Sequence, residues 1–112
     1  MGLERSKRYN YVMEIPEKGF YIHYKHDPSG EPHSYIYEVV GIGRNTEEKT
    51  YTVLYRPLYI NDWLSPADYQ SRPLDMFVEN VVVDGKEKPR FTHITDPVLV
   101  AELEQIRKQM YG

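Results

Sequence analysis

From residue 20 the chain alternates. Phe20, Ile22 and Tyr24 fall on one side of an extended segment, and Tyr21, His23 and Lys25 fall on the other. That period of two predicts a half-buried β-strand. The run Asp27-Pro28-Ser29-Gly30-Glu31-Pro32 is dense in turn formers and predicts a loop. Tyr35 to Ile42 is β-branched and aromatic and predicts a second strand, with Gly41 and Gly43 marking a bulge or a close backbone approach near its end. A turn at Asn45–Glu48 leads into Thr50–Arg56, which alternates cleanly as a third strand. Pro57 to Ser71 loses the pattern and reads as a long connection carrying its own aromatics. Arg72–Phe77 fits a helical turn or a short edge strand, because Pro73 cannot donate to a ladder. Val81-Val82-Val83, Asp84-Gly85 and Lys86 to Ile94 predict a hairpin, since Asp-Gly supplies the two positive φ angles of its tight turn. Asp96-Pro97 then sets a helix start: an N-cap acceptor followed by proline at the first helical position. Leu99, Leu103, Ile106 and Met110 follow at 4-3-4 spacing on one stripe, with Glu104 and Lys108 as an i,i+4 pair and Gly112 where a C-cap would sit.

These elements predict a mainly β fold: a small SH3-like barrel of about five strands with a C-terminal α-helix. The expected organisation of residues 1–112 is a single domain, with an N-terminal arm over 1–15, a barrel core over 16–94 and the helix over 95–112. The stripe on the helix is expected to dock on the barrel, with a dimer seam as the alternative.

Composition narrows the chemistry. The chain has no cysteine, which rules out disulfides, thiolate catalysis and cysteine-based zinc sites and agrees with a cytoplasmic setting. No apolar run has the length of a signal peptide or a membrane helix, so no membrane association is expected. The net charge is −3, with the acidic excess in the second half, and the basic surplus that drives duplex nucleic-acid binding is missing. Tyrosine is the outlier, with 11 copies against 3 Phe and 1 Trp. Tyrosine suits half-buried sheet positions, and it also suits binding surfaces, where it gives contact area at low entropy cost.

Five blocks in order, GFYIHYK, YEVVGIGRNTE, VLYRPLY, RPLDMFVENV and VDGKEKPRF, resemble a small bacterial family known as domain of unknown function 1653. The resemblance covers residues 19–91 and implies an SH3-type small β-barrel without an assigned activity. Two features depart from the family pattern. The loop from Asp27 to Ser34 is longer, and Asn45 stands where the family often carries histidine. The C-terminal helix lies outside the family core.

The residues that could form a site are His23, Lys25, Glu38, Glu47, Tyr55, Arg56, Tyr59, Trp63, Arg72 and Arg90. Arg72 before Pro73 and Arg90 after Pro89 sit where the chain is conformationally restricted, which suits bidentate binding of an oxyanion or capping of buried carbonyls. Glu38, inside an apolar strand, is a general base or ligand contact, the salt-bridge partner of Arg72 or Arg90, or a residue exposed on the outer face of the sheet. Trp63, Tyr59 and Tyr69, near Tyr55, could form an aromatic surface for a peptide, a modified cation or single-stranded nucleic acid, or a mini-core beneath the long connection. His23, His26 and His33 have poor metal spacing, and no serine or glycine-rich motif stands in a catalytic setting. No catalytic residue, metal or cofactor is therefore expected. The expected role is a non-catalytic binding module for a peptide, a small metabolite or nucleotide, or a protein partner, as a monomer or weak homodimer. The alternatives are a small enzyme domain using Glu38 and His23 with an arginine, or an accessory protein that self-associates through its helix.

Overall fold

Among the described residues, five antiparallel strands form one sheet, in the spatial order Gln70–Pro73, Thr50–Pro57, Ile36–Asn45, Gly19–His23 and Phe91–His93, and two more form a separate ribbon. The structure is a computed structural model that describes residues 15–59 and 69–112. The elements are β1 (Gly19–His23), β2 (Ile36–Asn45), β3 (Thr50–Pro57), β4 (Gln70–Pro73), the one-turn helix α1 (Leu74–Phe77), β5 (Asn80–Val83), β6 (Lys86–Pro89), β7 (Phe91–His93) and α2 (Pro97–Tyr111). The fold is mainly β with a C-terminal helix. Among the described residues the ladder is open, since β4 and β7 each pair with one neighbour only.

The sheet is nonetheless strongly curled. Strands lie about 4.8 Å apart, so in a flat sheet β4 and β7 would be roughly 19 Å from each other. The guanidinium carbon of Arg72 on β4 is instead 5.6 Å from the Phe91 ring centre on β7, and Tyr55 on β3 meets the same ring at 5.8 Å. Side chains from both ends of the sheet thus converge over one concave face. The register shift between Val39 and Gly41 keeps Val39 and Ile42 in this same core. Beyond it Gly43 lets β2 approach β3 closely, where an added Cβ would sit 3.2 Å from Thr52 Oγ1.

Both faces of the sheet are buried, and the period of two divides them. Tyr21, Tyr37, Val39, Val53, Tyr55 and Phe91 fill the concave side together with Leu74 and Phe77 of α1. Phe20, Ile36, Leu58 and Ile94 form a second core, on which α2 lays Leu99, Leu103, Ile106 and Met110. The expected helix stripe is therefore spent on the sheet. The expectation that one side of β1 faces solvent is corrected: Tyr21 and His23 are as buried as Phe20. Tyrosine rings satisfy an aromatic core while their hydroxyls reach partners at its margin, as Tyr21 does to the Glu17 carbonyl at 2.9 Å.

The ends of α2 follow the sequence reading. The Asp96 carboxylate accepts from the Leu99 amide at 3.0 Å, and the Gly112 amide donates to the Lys108 carbonyl at 3.0 Å. The Glu104–Lys108 pair is corrected, because Glu104 binds Arg107 at 3.0 Å. The single hairpin over 81–94 is also corrected. Asp84 and Gly85 do make the tight turn, with φ of 52° and 76°, but the ribbon ends at Pro89. Pro89 lacks the donor needed to continue the ladder, and Phe91–His93 leaves to pair with β1. No helix among the described residues is long and apolar enough to cross a membrane. The arm expected over 1–15 lies outside the described residues except for Ile15.

Candidate functional site

A cavity of about 620 Å³ opens at one end of the concave face. Its walls are aromatic: Tyr35, Tyr37, Tyr55, Tyr59 and Phe91. Register places them. Tyr37 on β2 faces Tyr21 on β1, while Tyr55 on β3 faces Gln70 on β4. Tyr35 has a φ of 59°, and its carbonyl accepts from the His23 amide at 2.9 Å, which brings its ring within 5.6 Å of the imidazole. Tyr59 follows β3 and shares a 2.9 Å hydroxyl–hydroxyl hydrogen bond with Tyr37. Burial, with the bond to Tyr59, holds the Tyr37 phenol far above the usual tyrosine range, and burial raises Tyr59 also. Both hydroxyls keep their protons at neutral pH.

Among the described residues the polar groups of the cavity are His23, Lys25, Gln70, Ser71 and Arg72, and no carboxylate lines it. His23 is 7% exposed and packed among Tyr24, Tyr35 and Phe91. Its Nδ1 accepts from the Lys25 amide at 3.1 Å, which puts the neutral ring's proton on Nε2. Burial lowers its pKa from 6.5 to about 4, and the charges of Arg72, Arg90 and Lys25 push it the same way. Among the described residues Gln70 Nε2 and Arg72 Nε are buried and have no hydrogen-bond partner. Arg72 is held over the Phe91 ring, and neither it nor Lys25 has a carboxylate partner among the described residues.

The remaining candidates lie elsewhere. Glu38 faces the helix side with Phe20 and Arg56, its neighbours in the ladder. Its partners are Arg56 at 2.9 Å and Arg107 of α2 at 3.8 Å, so the expected pairing with Arg72 or Arg90 is corrected. Arg56 also stacks on Tyr111 at 3.8 Å, and Tyr111 donates its hydroxyl to the Pro57 carbonyl. This cluster fastens α2 to the sheet. Since Glu38 lies across the sheet from His23 and Arg72, those three do not converge on one catalytic site. Arg90 pairs with Glu79, and its carbonyl accepts from the Tyr24 amide, so it ties the start of β7 to its neighbours. Glu47 is exposed in the β2–β3 turn, which Asn45 caps by accepting from the Glu47 and Glu48 amides. Trp63 lies outside the described residues.

His23, Lys25, Tyr55, Tyr59 and Arg72 are thus brought together, while Glu38, Glu47, Arg56 and Arg90 are not. Gln70, Tyr35, Tyr37 and Phe91 are additions. The i,i+2 spacing of Gln70 and Arg72 was the sequence signal for the first of these, but β4 had to be recognised as a strand to use it. His26 and His33 serve the long loop: His26 Nδ1 bonds the Ser34 carbonyl oxygen at 2.7 Å and His33 Nε2 the Glu102 carboxylate at 2.7 Å. Among the described residues no group of three His, Asp or Glu side chains could hold a metal ion. A second cavity of about 430 Å³, between residues 15–17 and β7, shares Phe91 with the first and carries Glu17 and His93.

No curated protein matches the chain. A crystal structure of a DUF1653 family protein from Bordetella bronchiseptica is similar, at 28% identity and a TM-score of 0.54, over 71% of this chain and 92% of that one. The family model described as protein of unknown function (DUF1653) matches residues 19–93, which run from the first residue of β1 to the last of β7 and hold every described residue lining the tyrosine cavity. The chain belongs to the DUF1653 family.

Proposed function

We propose that this chain is a non-catalytic binding module, and that its ligand enters the tyrosine-walled cavity of a curled, SH3-like β-barrel. One observation carries the reading: five aromatic rings surround an open space of about 620 Å³ that also holds His23, Gln70 and Arg72. Cavities of several hundred Å³ with apolar walls and a few converging polar groups are the usual form of small-molecule sites. Rigid rings give contact area at little entropic cost, and Tyr37 and Tyr59 are fixed by their mutual hydrogen bond. The curl of the sheet supports the barrel reading, since Arg72 and Phe91 from opposite edge strands meet across its concave side. The absence of convergence between Glu38 and the His23–Arg72 pair favours binding over catalysis.

The test is a titration of the isotopically labelled chain by NMR. Separate pools of peptides, nucleotides, short oligonucleotides and aromatic metabolites would be added. Shifts clustered at His23, Tyr55, Tyr59 and Arg72 for one pool are expected. The proposal fails if none of the pools moves these signals.

A further inference from the structure

We infer, resting on the cavity's being a binding site, that its ligand is an anion: a carboxylate or phosphate received by Arg72, Gln70 and His23, with an attached ring lying among the tyrosines. β4 aims two donors inward. Gln70 pairs with Tyr55 and Arg72 with Val53 across the ladder, and both of those partners are concave-core residues. The two donor atoms, Gln70 Nε2 and Arg72 Nε, are buried without a partner among the described residues. An unmade bond at a buried donor costs its full desolvation, and the cost is greater at a charged one.

Arg72 differs from the other arginines around the two cores. Arg56, Arg90 and Arg107 each meet a carboxylate, at Glu38, Glu79 and Glu104 respectively. Arg72 has a ring beneath it instead, and among the described residues its cavity contains no acidic side chain although the chain as a whole is acidic. His23 adds a third donor of the same sense. With Nδ1 occupied by the Lys25 amide, its Nε2–H is the group left for a ligand. Lys25 lines the same opening and adds positive charge. A neutral acceptor would satisfy donors but leave the guanidinium uncompensated, whereas an oxyanion does both, with charge-assisted bonds in a poorly hydrated setting. The volume accommodates a single ring with its acidic group.

The experiment titrates the chain with benzoate, phenyl phosphate and benzamide, the last being the neutral counterpart of benzoate. Binding is read by NMR at the Arg72 Nε–H, the Gln70 side-chain amide and the His23 ring. Both anions are expected to shift all three groups, and benzamide is expected to bind at least about tenfold more weakly. In Arg72→Gln the affinity for the anions should fall about tenfold or more, with that for benzamide unchanged. The tighter of the two anions identifies carboxylate or phosphate as the natural group. Benzamide binding the parent as tightly as benzoate, or an Arg72→Gln variant that keeps the parent's affinity for the anions, overturns the anion assignment and leaves the cavity reading standing. Failure of all three probes to bind overturns the cavity reading with it. If Arg72→Gln does not fold, the comparison of benzoate with benzamide on the parent chain decides the matter.

Discussion

Lowering the pH should destabilise this protein through one identifiable group. His23 is buried among rings, and three cations face it: Arg72 from β4, Arg90 from the start of β7 and Lys25 from the segment after β1. Its folded pKa is about 4, against 6.5 for the ordinary imidazole. The unfolded chain therefore takes up the proton first as pH falls. The neutral ring's contribution to stability is intact above about pH 6.5, declines between 6.5 and 4, and is lost below about 4. The full shift is equivalent to about 3 kcal/mol, and the part expressed between pH 7 and 4.5 comes to about 2 kcal/mol. For a domain of this size that is a fall in melting temperature of roughly 10 °C. The assay is urea denaturation at pH 7.0 and 4.5 for the parent and for His23→Gln, which cannot titrate in this range. Other groups contribute to acid lability in both proteins, so the quantity of interest is the difference between the two losses. The parent is expected to lose about 2 kcal/mol more than the variant. Equal losses would refute the argument, because they would mean that His23 is as free to accept a proton in the fold as out of it.

Two further outcomes follow from the same packing. Leu103 is fully buried at the centre of the helix–sheet core, and Leu103→Ala should cost about 2–5 kcal/mol in thermal or urea unfolding; a smaller loss would show that α2 is not integral to the fold. Glu38→Gln leaves Arg56 and Arg107 without their shared carboxylate and should cost about 1–3 kcal/mol, whereas Arg72→Met should leave the melting temperature unchanged or raise it; equal losses in parallel melts would contradict the division between a fastening cluster and a ligand-facing arginine.

The helix was legible because its signals are local. Asp96, Pro97 and the 4-3-4 stripe need nothing distant to be read, and the tight turn at Asp84-Gly85 is equally self-contained. The curled sheet was harder. In β1, Phe20 and Ile22 alternate with Tyr21 and His23, and a tyrosine is equally at home in a core and at a wet margin, so the alternation alone does not reveal that both sides are covered. What covers the second side is a helix 75 residues or so further along, as the pairing of Glu38 with Arg107 illustrates. The cavity was half legible. His23, Tyr55, Tyr59 and Arg72 could be singled out as chemically capable residues, but only the ladder reveals that Gln70 joins them and that Glu38 and Arg56 face the other way.

Every described residue lining the tyrosine cavity lies within the span that matches the family, residues 19–93, whereas α2 begins at Pro97. The helix supports the cavity only from behind, by burying Phe20, Ile36 and Leu58 on the opposite side of the strands that carry His23, Tyr37 and Tyr55. Alternation makes the two sides chemically independent while the shared backbone makes them mechanically continuous. A substitution on the helix side, such as Leu103→Ala, should therefore change unfolding without changing which ligand the cavity prefers. A substitution of Arg72 should do the reverse, since its buried nitrogen contributes no hydrogen bond to the fold among the described residues. The pattern follows from the sequence itself: alternate positions along the strands carry a core for the helix and a lining for the cavity.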